Sequence, residues 1–402
     1  MIQFKQKRNT QLELSIFPEK PARSPSQSGQ AVFYCLRYSF FNITFGGNEM
    51  KETLSSKKGL LLWGGLLGAV AVWLAVMGNP GNMAFCIACF IRDIAGAARL
   101  HTAPIVQYMR PEIAGLVAGA FIISMATGEY RSTAGSSPMI RFLLGIITMI
   151  GALVFLGCPL RMVIRMAAGD LNAYMGLIGF VLGVGTGCIF LKKGFSLGRS
   201  YDTKKENGYI LPAVFLALLI LSIITPLFAA STEGPGSLHA PILVSLAAGL
   251  IFGAAAQKAR ACFAGGIRDV ILMKNFDLLS VIAGLFGVML VYNLVSGNFK
   301  PGFEGQPVAH AETLWNILGT YTVGFAAVLA GGCPLRQLIL AGQGSADAAV
   351  NVLGMLVGAA FCHNFGLASS GTGTTPAGRI MCIVCIAVLF AAAASCMRKT
   401  RK

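Results

Sequence analysis

Apolar runs separated by short polar or basic stretches fill the chain from residue 59 to residue 396. A helix crossing the hydrocarbon core of a bilayer needs about 20 mostly apolar residues. On that length the pattern predicts ten spans: 59–78, 111–127, 139–157, 171–191, 210–230, 239–257, 278–297, 315–332, 346–362 and 378–396. The breaks between runs are as informative as the runs. Leu156 to Met166 and Leu329 to Leu340 each set Gly, Pro and Arg beside the end of an apolar run, and two Cys- and Arg-bearing segments resemble them in brevity. Such pieces are too short to cross. They predict four re-entrant or half-helical segments, because irregular backbone is tolerated at membrane depth only where protein buries it or water reaches it. The expected fold class is an all-α polytopic membrane protein.

An internal repeat organises these elements. Cys86-Ile-Ala-Cys89-Phe-Ile-Arg92-Asp93 matches Cys262-Phe-Ala-Gly-Gly-Ile-Arg268-Asp269 at a displacement of 176. Gly157-Cys158-Pro159-Leu160-Arg161 recurs unchanged as Gly332-Cys333-Pro334-Leu335-Arg336 at 175, and Gly169, Gly179 and Gly183 fall on Gly344, Gly354 and Gly358 at that same offset. Two Cys-containing motifs in one order, with glycines in register, mark a duplication. Five spans per copy is an odd number, so the second copy enters the membrane upside down. That is the pattern of inverted-topology transport folds, whose sites lie near the midplane between the halves. The expected division is a polar extension over 1–49, one membrane repeat over 50–230 and a second over 231–402. The Gly179/Gly183 and Gly354/Gly358 pairs are expected to let helices pack closely.

Composition agrees. The 402 residues are 55% hydrophobic and only 12% charged, about half the charge of a soluble domain. The net charge of +16 would suggest nucleic acid on a soluble protein, but its distribution argues otherwise. Lys192 to Gly208 holds five basic residues against two acidic, Lys51, Lys57 and Lys58 precede the first span, and Arg398, Lys399, Arg401 and Lys402 end the chain. With ten spans all three regions fall on one side, which the positive-inside rule makes cytoplasmic. Both termini are therefore expected in the cytoplasm, and nucleic acid is not expected as a partner. Residues 1–49 show no apolar leader core. They read either as a cytosolic tail or as a stretch bypassed by translation starting at Met50.

Eleven cysteines lie mostly in apolar segments, which is no disulfide framework. Cys35, Cys188, Cys362, Cys382, Cys385 and Cys396 read as small packed hydrophobes. Cys86, Cys158, Cys262 and Cys333 differ, since each occupies an equivalent place in the duplicated motifs; they are the expected pore thiols. Arg92 and Arg268 belong with them, because ionisable groups inside a membrane usually mark an ion or substrate path. Asp93 and Asp269 are expected either to orient those arginines or to cap a neighbouring helix. Arg161 and Arg336 read either as electrostatic funnels or as solvated interfacial charges, with Gly157 and Gly332 forming the turns before them. Thiols, half-helix N-termini and arginines together suit a small anion, and polarizable sulfur suits a soft sulfur- or selenium-bearing one. Four histidines, none at ligand spacing from a cysteine, give no metal site, and no phosphate-binding loop occurs. No cofactor and no catalytic residue is expected. The alternative is a membrane thiol–disulfide oxidoreductase using Cys86 and Cys89. Against it, Cys89 falls on Gly265 and so has no counterpart in the second half.

The CFIRD and CFAGGIRD segments, the twin GCPLR turns and the stretch from Gly332 to Ser370 resemble the YeeE/YedE family of membrane sulfur-compound transporters, on the branch associated with selenium metabolism. The resemblance runs from about Leu74 to the last span. It implies a bacterial inner-membrane protein with inward-pointing loops and essential pore cysteines, which hand a thiosulfate-like anion from thiol to thiol. Carried over, those thiols are Cys262, Cys158 and Cys333, with Cys86 as the further symmetric position. Transport is expected to be proton-coupled, passive, or drawn inward by a cytosolic sulfur or selenium carrier, and the sequence leaves these three open.

Overall fold

The computed structural model describes residues 56–397; the polar extension, Cys35 and the basic end from Arg398 lie outside them. Fourteen α-helices are described. Ten coincide with the expected spans: α1 (Lys57–Val76), α3 (Pro111–Thr127), α4 (Pro138–Phe155), α6 (Leu171–Lys192), α7 (Ile210–Ile224), α8 (Ile242–Lys258), α10 (Asp277–Val295), α11 (Thr313–Ala330), α13 (Ala346–Asn364) and α14 (Pro376–Ser395). The other four are short and stand at the pattern breaks: α2 (Ile87–Ala97), α5 (Pro159–Ala167), α9 (Phe263–Met273) and α12 (Pro334–Gly342). Among the described residues strands are confined to one two-residue pair, β1 (Thr133–Ala134) against β2 (Tyr201–Asp202). The chain is an all-α polytopic membrane protein.

Among the described residues nine helical stretches are long and apolar enough to cross a membrane. The count differs from ten because α3 has only 17 residues. The span expected over 210–230 is also shorter, since Thr225 and Pro226 end α7 at Ile224.

Helix starts follow from local chemistry. Ser56, Asp170, Ser345 and Thr375 accept backbone N–H bonds at the N-termini of α1, α6, α13 and α14, satisfying donors that the first turn leaves open. Pro159 and Pro334 open α5 and α12, where a missing N–H costs nothing. At α2 and α9 the capping side chains are cysteines. Gly265 N donates to Cys262 Sγ at 3.1 Å, and Cys89 N donates to Cys86 Sγ at 3.4 Å.

Packing pairs the long helices across the two halves. α6 lies along α11 and α4 along α13; α3 lies along α8 and α1 along α10. Exchanging the first seven helices with the last seven in order turns each of these pairs into another observed pair. Glycine makes the approaches close. A Cβ on Gly179 or Gly183 would collide with the carbonyl oxygen of Ile317 or Tyr321 on α11, and one on Gly354 with that of Phe142 on α4. The close-packing expectation for these glycines holds. The lipid-facing surface is apolar, as Leu216, Ile220 and Ile224 on α7 illustrate, while the short helices occupy the interior. All eleven residues of α2 are buried.

Candidate functional site

Two thiol clusters arise from the two copies of the motifs. In the first half the N-terminus of α2 meets the turn between α4 and α5. Cys86 Sγ stands 3.0 Å from Cys89 Sγ and 3.9 Å from Cys158 Sγ. Arg161, one turn into α5, donates from Nη1 to Cys89 Sγ at 3.3 Å and to the Leu156 carbonyl at 2.6 Å. All four side chains are buried, and Arg161 is fully so. It is therefore not a solvated interfacial charge, one of its two expected roles, because the α4–α5 turn folds the GCPLR segment into the core. Gly157 makes room for it, since a Cβ there would press on Arg161 Cδ at 2.8 Å.

In the second half Cys262 caps α9 and Cys333 precedes α12, and the two thiols are near enough to influence each other electrostatically. Arg336 repeats the placement of Arg161, and Gly332 repeats that of Gly157: a Cβ on Gly332 would lie 2.9 Å from Arg336 Cγ. Arg336 Nη1 donates to Gln257 Oε1 at 3.4 Å, and Gln257 in turn donates to Glu129 at 3.0 Å.

The halves differ in access. Cys262 and Arg336 line a cleft of about 480 Å³, together with Lys258, Arg260, Arg268 and Asp269. In the first half Cys86 and Cys89 have no exposed surface and Cys158 has 2%, against 7% for Cys262. Residue size supplies a reason: α9 has Gly265 and Gly266 where α2 has Cys89 and Phe90, and Phe90 packs against Phe85 at 5.7 Å between ring centroids.

The Arg-Asp pairs also differ from each other. Arg268 and Asp269 form a 2.8 Å ion pair that is partly exposed in the cleft. Arg92 sits farther along α2 from the thiols and pairs with Asp93 at 2.7 Å. Asp93 thus orients its arginine as expected, but it also holds Arg110, whose Nη2 lies 2.7 Å from Asp93 Oδ2. Arg110 was not singled out in the sequence, and neither was the buried Arg165–Asp170 pair at 2.6 Å. Cys89, without a counterpart, nevertheless joins the first cluster. Beyond α2 the His101 ring stacks on His363 with centroids 4.5 Å apart. Burial lowers the His101 pKa, the bond to the Arg92 carbonyl opposes this, and the Arg92 charge reinforces it. The imidazole therefore stays neutral beside that arginine at neutral pH.

Cysteines, arginines and helix N-termini thus converge at the broken segments. Residues 258–378 match the family model for sulphur transport. The matched stretch is less than a third of the chain, yet it includes Cys262, Arg268, Asp269, Gly332, Cys333 and Arg336. The comparison with curated proteins gives no match. Among the described residues no group of three or more His, Cys, Asp or Glu is arranged to hold a metal ion.

Proposed function

We propose that this protein carries a small sulfur-containing anion, thiosulfate-like or its selenium-bearing analogue, across a bacterial inner membrane through a constriction lined by cysteines. The observation that carries the reading is that Cys262 lines a cleft in which Lys258, Arg260, Arg268 and Arg336 outnumber Asp269 and Asp277, within the stretch matched to sulphur transport. The cations concentrate an anion in the cleft. The thiols then offer the anion polarizable sulfur. Beyond them Cys86 and Cys158 form the matching half-site, and translocation passes the anion from one cluster to the other. The helix pairing under exchange of halves supports an inverted repeat, which makes the two clusters equivalent ends of one path. With the basic flanks in the cytoplasm, the cleft opens inward and a cytosolic sulfur or selenium carrier is placed to receive the product. Nothing in this reading requires the chain to be an enzyme.

Uptake into proteoliposomes tests it, with thiosulfate, selenosulfate, selenite and sulfate compared. Cys262→Ser and Cys333→Ser are expected to lower uptake of the preferred anion at least about tenfold while the protein remains monodisperse, a loss equivalent to about 1.4 kcal/mol. Unchanged uptake in both variants sinks the pore-thiol reading. A second reading, a thiol–disulfide oxidoreductase, draws support from the 3.0 Å approach of Cys86 and Cys89. Quinone-coupled thiol oxidation by the purified protein, lost in Cys89→Ala, is the result that would establish it.

A further inference from the structure

Among the described residues four arginines are buried: Arg92, Arg110, Arg161 and Arg165. Asp93 neutralises the first two in part and Asp170 the last. Arg161 is different. Its Nε donates to the Asn82 carbonyl at 3.1 Å; Nη1 donates to Leu156 O and Cys89 Sγ; Nη2 donates to Asn82 Oδ1 at 3.3 Å and to Val308 O at 3.0 Å. These acceptors are carbonyls, an amide and a cysteine, and among the described residues no carboxylate forms an ion pair with it. Neutral acceptors satisfy its N–H groups but do not balance its charge. An unbalanced charge in a membrane-protein interior costs several kcal/mol and persists where an ion or substrate path uses it.

The lid over this guanidinium is itself under strain. Val308 has φ +51, a left-handed conformation that costs a β-branched residue on the order of 1–3 kcal/mol. It is held there by Arg161, by the Asn82 amide donating to Pro307 O, and by His310 Nε2 against Val154 O at 2.8 Å.

We propose that Arg161 is the charge-receiving residue of an occluded anion site in the sealed half, with Pro307–Val308 as its lid. This rests on the transport reading and specifies where the charge of the substrate goes. The occupant is a small divalent oxyanion with a terminal sulfur or selenium. One of its oxygens takes the place of the Val308 carbonyl on Nη2, which releases the strained lid. Its terminal atom lies against Cys86, Cys89 and Cys158. Arg336, bonded to neutral Gln257 in the open cleft, is the matching cation of the other half-site. The anion therefore meets, at each end of its path, an arginine whose hydrogen bonds go to neutral acceptors.

The test uses the full chain in proteoliposomes with labelled thiosulfate, comparing wild type, Arg161→Gln and Arg161→Lys. A parallel measurement follows slow maleimide labelling of Cys89 and Cys262 by peptide mass spectrometry, with and without thiosulfate. Arg161→Gln is expected to lose at least about tenfold in uptake, equivalent to about 1.4 kcal/mol. It is also expected to lose thiosulfate protection of Cys89 while keeping that of Cys262, and Arg161→Lys to recover part of both. Wild-type uptake or retained Cys89 protection in Arg161→Gln overturns the site. Loss of protection at both cysteines also overturns it, because the arginine then acts through the fold as a whole. If wild type fails to transport thiosulfate but shows Arg161-dependent protection of Cys89, the site stands and the transport reading falls.

Discussion

One carboxylate, Asp93, answers two buried arginines beside α2. Arg92 and Arg110 each bring a guanidinium to within 2.7 Å of it, and the Asp93 side chain has no exposed surface. Taking away one partner of a buried ion cluster leaves uncompensated charge, at a cost of about 3–5 kcal/mol. Asp93→Asn keeps the shape and removes the charge, so it should lower the thermal unfolding midpoint in detergent by several degrees. An unchanged midpoint would show that the cluster does not hold the fold. Half of this cluster was legible beforehand: the adjacent Arg92-Asp93 pair recurs as Arg268-Asp269. Arg110 was not, because it lies 17 residues beyond Asp93, outside the motif, and the position 176 residues later is Phe286. Repeat logic finds only what both copies keep. The same blindness undervalued Cys89, whose counterpart is Gly265, though its sulfur touches Cys86 and accepts from Arg161.

At the scale of elements, hydropathy located every long helix among the described residues, because twenty apolar residues have few other fates in a chain this poor in charge. It located the four short helices through their interruptions. Which helix lies along which was less accessible. The contact pattern is written in glycines, and a glycine in a sequence does not say whose backbone it meets. Gly179 meets the Ile317 carbonyl and Gly183 that of Tyr321, whereas Gly185 on the same helix has nothing within 4 Å of a Cβ. Backbone cannot retreat as a flexible side chain can. Gly179→Leu should therefore force α6 from α11 and sharply reduce the yield of monodisperse protein after detergent extraction. Gly185→Leu should extract like wild type. Equal yields from the two variants would mean that the α6–α11 seam is not under the constraint described.

Across the whole molecule, a nearly symmetric helix arrangement carries unequal access. Cys262 borders the cleft, while Cys86, Cys89 and Cys158 are buried behind Arg161, Asn82 and the Pro307–Val308 lid. The sequence alone suggested four equivalent thiols, since equivalence is what a duplication displays. What separates them is side-chain volume at two positions, Cys89 and Phe90 against Gly265 and Gly266, together with a lid that closes over only one half. A transporter with a single path needs this inequality: two half-sites open together would leak, and alternating access means that one is closed when the other is open. An impermeant maleimide should thus label Cys262 far faster than Cys86, Cys89 or Cys158 in the resting protein, as read by peptide mass spectrometry. The labelled face carries the orientation argument as well. The cleft lies where α8 ends at Lys258, beside Leu60 near the start of α1, so it shares a side with Lys57 and Lys58. In sealed vesicles of known sidedness, labelling of Cys262 from the cytoplasmic face alone would agree with basic flanks held inside. Labelling from the opposite face alone would turn the molecule over and make the same cleft the outward mouth of the path.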